Sequence, residues 1–94
     1  MMMNIGLDNF INLDDIVAII KYDSLPAKMY RYEAEEKQRL INACGRLEPR
    51  SLVVMKSNHV ILSALQTVTL NQRLAGIKKR KGNSLWIRVS ASKR

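Results

Sequence analysis

The chain has 94 residues, is 47% hydrophobic and carries a net charge of +8. That length makes one domain burying roughly 60–65% of its unfolded surface, a small core of the kind that self-association often completes. The charge points to a polyanionic partner, whereas one Trp, three Tyr and one Phe are too few for the ring platforms that stack single-stranded nucleic acid.

The charge is not spread evenly. From Gly76 to Arg94 there are seven cations and no acid, while residues 1–75 hold nine cations against eight acids. The sign asymmetry therefore belongs to the C-terminal end, and the body is almost neutral. A single cysteine, Cys44, excludes an internal disulfide and fits a reducing compartment. No basic-then-apolar leader precedes Gly6, and no run approaches the ~20 apolar residues that span a bilayer. A soluble, cytoplasmic protein without membrane contact is expected.

In chain order, Met1 to Leu7 reads as a short edge strand, and Asp8-Asn9 as a turn. Ile16-Val-Ala-Ile-Ile20 is a β-branched run, expected to be a buried strand. Ser24 is a good N-cap and Pro26 suits a first helical turn, so a helix is predicted from about Pro26 to Arg39. Ala27, Tyr30, Ala34 and Ile41 share its predicted apolar stripe. Glu33 with Lys37 and Glu35 with Arg39 would form i,i+4 pairs, each worth about 0.2–0.5 kcal/mol. Leu40 to Ala43 re-enters the sheet. Ser51–Lys56 and His59–Leu65 are expected to pair about a Ser57-Asn58 turn. A second helix should start near Thr67 and stop at Gly76 as a C′ residue. Strands, helix, strands, helix is an α+β order: a small, mainly antiparallel sheet with two helices. The domain covers residues 1–76, and 77–94 form a basic C-terminal tail.

Catalytic chemistry finds little support. His59 has no Cys or carboxylate at ligand spacing, and Cys44 with His59 cannot supply the three or four ligands that zinc needs. Cys44 reads as a small buried hydrophobe. Asp14 and Asp15 are neighbours, which point to opposite sides on a strand, and no glycine-rich loop cradles a phosphate. No enzyme, metal or cofactor is expected. The loop Gly45-Arg-Leu-Glu-Pro-Arg50 differs, because Pro49 fixes φ and Gly45 permits an unusual one. Arginines on a stiff platform bind phosphate in bidentate fashion at reduced entropy cost.

Several residues fall together in a known order. Asn4-Ile-Gly6, Asn9, Ser24-x-Pro26, Gly45-Arg46, His59-Val-Ile-Leu-Ser-Ala64, Gln66 and Gln72-Arg-Leu74 resemble the RemA family, small bacterial regulators named extracellular matrix regulatory protein A. The similarity spans about Asn4 to Leu74. It implies a compact protomer of a ring-shaped homo-oligomer that binds double-stranded DNA along a basic rim and activates biofilm-matrix genes. Repetition round a closed ring makes each contact after the first intramolecular, and counterion release grows with their number.

By that resemblance Arg46 and Arg50 are the DNA-binding residues, with Lys78, Lys79, Arg80 and Lys81 of the tail as auxiliary charge. The chain departs from the pattern at Leu47, where a second consecutive arginine belongs. Pro49 looks like an insertion, and Asp15 stands where another DNA-contacting arginine falls. The alternative is a ring-forming assembly or protein-interaction module with weakened or lost DNA binding. Leu85-Trp-Ile-Arg-Val89 within the tail is strand-like and suited to packing on a neighbour.

Overall fold

The computed structural model describes residues 1–81, with side chains to Ile77. Nine elements follow one another. They are β1 (Met2–Asn4), β2 (Phe10–Asn12), a 3-10 turn (Leu13–Asp15), β3 (Ile16–Lys21), α1 (Leu25–Glu36), β4 (Leu40–Asn42), β5 (Ser51–Met55), β6 (Val60–Ser63) and α2 (Thr67–Lys81). The class is α+β with two helices, as the element order implied. Strands β1 and β2 form a separate antiparallel pair, and the other four make one sheet in the order β3-β5-β6-β4. All its pairs are antiparallel except β4 with β6.

β5 is the centre, and each of its five residues is buried. Side chains alternate across a strand, so Leu52 and Val54 face one layer while Val53 and Met55 face another. On the first side they meet Ala27 and Ala34 of α1 together with Val60. On the second they meet Met3, Ile5, Ile11 and Leu13 of the β1–β2 region and Leu70 of α2. The sheet is thus sandwiched between α1 and a layer made of the hairpin and α2.

Local chemistry accounts for the helix ends. The Ser24 hydroxyl accepts from the Ala27 N–H at 3.3 Å and donates to the Lys21 carbonyl at 2.8 Å. At the other end Gln38 has φ +57°. The Arg39 N–H donates to the Ala34 carbonyl and the Gln38 N–H to the Glu35 carbonyl, a Schellman closure. Arg39 is therefore outside the helix, which ends earlier than the periodicity suggested. Glu33 and Lys37 do approach, at 3.9 Å, but Arg39 donates instead to the Ser57 carbonyl at 2.8 Å, so the expected Glu35–Arg39 pair does not form.

Other expectations are corrected. Met1 to Leu7 is not an edge of the main sheet, and the β2 strand was not anticipated. The hairpin tip carries Leu7 and Asp8 at φ +51° and +59°, the signs a two-residue type I′ turn requires. The Ile16–Ile20 run is an edge strand with Val17 60% exposed, and Tyr30 and Ile41 are exposed rather than part of the core stripe. Gly76 does not stop α2, which carries on to Lys81. A helical glycine costs only about 1 kcal/mol, less than the packing of Leu70, Leu74 and Ile77 against the core can offset. Leu85-Trp-Ile-Arg-Val89 lies outside the described residues. Among the described residues, no helix is long and apolar enough to cross a membrane.

Candidate nucleic-acid interface

The segment 43–50 joins β4, at one edge of the sheet, to β5 near its centre, so it must cross the end of β6. It is tied down at both ends. The Cys44 N–H donates to Asn42 Oδ1 at 2.8 Å and Asn9 Nδ2 to the Ala43 carbonyl at 3.3 Å. At the far end, the Arg50 N–H donates to the Ser63 carbonyl at 2.8 Å, and the Arg50 carbonyl accepts from the Tyr22 N–H at 3.1 Å. Between these anchors the Leu47 N–H donates to the Cys44 carbonyl at 3.0 Å, closing a tight turn. Gly45 occupies its second position at φ +60° while Arg46 does not share the positive φ, the sign pattern of a type II′ turn. A Cβ on Gly45 would lie 3.1 Å from Leu7 Cδ1, so the turn leans on the hairpin tip.

Both arginines predicted from sequence are exposed on this clamped segment. They do not share one pocket. Arg50 lines a cleft of about 490 Å³ with Lys21, Tyr22, Asp23, Glu48 and the first residues of α2, whereas Arg46 lies outside its lining. The cleft is electrostatically mixed: Lys21 and Arg50 face Asp23 and Glu48, and Lys21 meets Asp23 at 3.9 Å with both side chains largely in solvent. Lys21, Gln66 and Thr67 were not singled out as site residues by sequence reasoning. The only signal available was the family motif containing Gln66, since the sequence gap from Lys21 to Arg50 conceals their proximity.

Asp15 is not part of this end. Ile16 pairs with Met55 and Lys21 with Ser51, so Asp15 and the arginine loop lie at opposite ends of β3–β5, about 17 Å apart along five strand residues. The Lys56 N–H donates to the Asp15 carbonyl at 2.8 Å. α2 starts at the cleft with Thr67 and packs Ile77 into the core that holds Ile16. Its last residues, Lys78, Lys79, Arg80 and Lys81, lie at the far end of α2, Lys81 about 21 Å along the helix axis from Thr67. The cations predicted as one set are thus divided between the loop and the far end of α2.

The remaining candidates for chemistry have structural partners. His59 Nδ1 and the Ser57 hydroxyl are 2.7 Å apart in the β5–β6 turn, where Asn58 takes φ +71°. Cys44 is buried, and desolvation pushes its thiol pKa up, which favours an inert thiol. Among the described residues no group of three His, Cys, Asp or Glu side chains is placed to hold a metal ion.

The family model described as "RemA-like: Extracellular matrix regulatory protein A-like" matches residues 2–74. A protein of Desulfosudis oleivorans named "Putative regulatory protein" is 44% identical over 84 residues, covering 89% of this chain and 84% of its own. One of the same name from Desulfatibacillum aliphaticivorans is 46% identical over 81 residues, covering 85% and 90%. Another from Fervidobacterium nodosum is 40% identical over 72 residues, covering 77% of each.

Proposed function

Because the chain belongs to the RemA-like family of regulatory proteins, we propose that it is a homo-oligomeric regulator of extracellular-matrix genes that grips the backbone of duplex DNA. Arg46 and Arg50 are the principal phosphate contacts and Lys78 to Lys81 add charge. One observation carries this reading: two exposed guanidiniums stand on a segment whose backbone is bonded at both ends to buried strands. Such a segment is ordered before it meets a ligand, so little entropy is lost on contact.

Two phosphate contacts per protomer are feeble, and repetition supplies the rest. The split of the cations supports assembly. With Arg46 and Arg50 on the loop before β5 and Lys78 to Lys81 at the far end of α2, a head-to-tail neighbour joins the two groups into one continuous rim. Contacts are to the backbone, since among the described residues no element presents base-reading side chains as a recognition helix does. Sequence preference then arises from bending the duplex.

The test is an electrophoretic shift of a duplex at two salt concentrations, with oligomer size from light scattering. The variant Arg46→Ala/Arg50→Ala should weaken binding to every sequence. It should also lower the salt slope by about 0.9 per lost phosphate contact. Unchanged binding removes the loop from the mechanism. A second reading, an assembly module that no longer uses DNA, is favoured by Asp23 and Glu48 beside Arg50. An oligomer that fails to retard DNA even at low salt would support it.

A further inference from the structure

The outer surface of α1 carries an apolar stripe that nothing in the described protomer covers. Leu25, Met29 and Tyr32, at i, i+4 and i+7, are 71%, 66% and 66% exposed. Shallow grooves of about 400 and 260 Å³ lie on either side of Met29, one reaching Tyr32 and the other Tyr30. Glu33 lines both grooves, and Glu36 and Lys28 line the larger. Glu33 approaches Lys37. With Glu35, three acids crowd the final turn of the helix, where the negative end of the helix dipole adds to their field. The surface is apolar along its length and anionic at one end.

The chain supplies a matching segment. No acid follows Glu48 in the sequence, and residues 82–94 read Gly-Asn-Ser-Leu-Trp-Ile-Arg-Val-Ser-Ala-Ser-Lys-Arg. Four large apolar residues, including the only tryptophan, surround Arg88. We propose that Leu85–Val89 of one copy docks on the outer face of α1 of a second copy, with Trp86 against Met29 and Tyr32 and Arg88 toward Glu33 and Glu36. Trp is the side chain most often found as an interface anchor, and thioethers pack well on its ring.

Reach assigns the acceptor to another copy. α1 and α2 cover opposite faces of the sheet, two layer spacings or about 20 Å apart, and the outer face of α1 is farther still. The four steps from Lys81 to Leu85 span at most about 14 Å. The segment cannot lie along its own α1, whereas a neighbouring α1 sets no such limit. This link between copies stands whether or not the protein binds DNA.

Because Trp86 is the sole tryptophan, intrinsic fluorescence of the full chain reports its surroundings directly. Its emission should be blue-shifted relative to a peptide of residues 82–94. The shift should vanish in Met29→Glu/Tyr32→Glu, two exposed positions whose change leaves the far-UV circular dichroism intact. Co-refolding that variant with an equal amount of Trp86→Phe chain should restore the shift, because the intact α1 then comes from the other chain. Glu36→Lys should weaken the shift and Arg88→Glu in the same chain should recover it, a route that spares the apolar stripe. Peptide-like emission in the full chain, a shift that survives Met29→Glu/Tyr32→Glu, or no recovery on mixing would each overturn the proposal.

Discussion

The Ser63 hydroxyl donates to the Ile5 carbonyl at 2.6 Å, a fully buried bond between residues 58 positions apart. The same oxygen accepts from the Leu65 N–H at 3.1 Å, so one side chain fastens the β1–β2 hairpin to the end of β6 and to the lead into α2. Ser63→Ala leaves a buried carbonyl and a partly buried N–H without partners. We expect a loss of about 1–3 kcal/mol, read as a lowered urea midpoint with unchanged slope. A midpoint within error of the parent would mean that this bond is not what holds the hairpin to β6.

Gly45 sits at φ +60° under Leu7 Cδ1. Leu7 can yield, being the free end of a flexible side chain, but the backbone cannot. Gly45→Ala should therefore cost about 1–2 kcal/mol from φ alone. Leu7→Ala in the same chain should recover little of it. If the double variant returns to the Leu7→Ala value, steric crowding and not φ is the reason for glycine here.

Asp15 puts an acid at the sheet end opposite the arginine loop. In a ring, Asp15→Arg exchanges repulsion for attraction once in every protomer. Duplex affinity should rise, and the salt slope should steepen by up to about 0.9 for each new phosphate contact. Asp15→Asn should raise affinity with no change of slope. Equal affinity in all three proteins would place Asp15 away from the DNA path.

Burial raises the pKa of Cys44 above its ordinary 9.0. The folded state then holds this proton more tightly than the unfolded state. The contribution is complete below the unfolded pKa and is lost as pH rises through the folded one. The parent should lose more stability than Cys44→Ala between neutral pH and the alkaline range above 9, when their denaturation midpoints are compared. A thiol reagent at pH 8 should modify Cys44 only when the chain unfolds, and rapid labelling of the native protein would refute that.

Local chemistry made much of the fold legible. Ser24 and Pro26 announced α1, and Asn58 announced the tight turn between β5 and β6. The apolar run from Leu52 to Met55 announced a strand, which the structure buries on both sides. What escaped is non-local. Phe10–Asn12 is too short to show alternation, and it is a strand only because Met2–Asn4 pairs with it. Gly76 resembles a stop by residue type, yet core contacts on both sides of it keep α2 going. Ile16–Ile20 has the composition of a buried strand, but its position at the sheet edge exposes Val17.

The candidate site divides in the same way. Residue types and their order alone put Arg46 and Arg50 on a short segment limited by glycine and proline, concentrate the positive charge toward the C-terminus, and make the chain resemble the RemA regulators. These follow from residue types and near-neighbour spacing. Tertiary packing, by contrast, makes the segment cross the end of β6, brings Asp23 and Glu48 to the same cleft as Arg50, sets Asp15 at the opposite end, and starts α2 at the cleft so that Lys78 to Lys81 lie at its far end. Those relations depend on strand order and on the direction in which α2 packs. Both are fixed by burial shared among residues far apart in the chain, a quantity no local window contains.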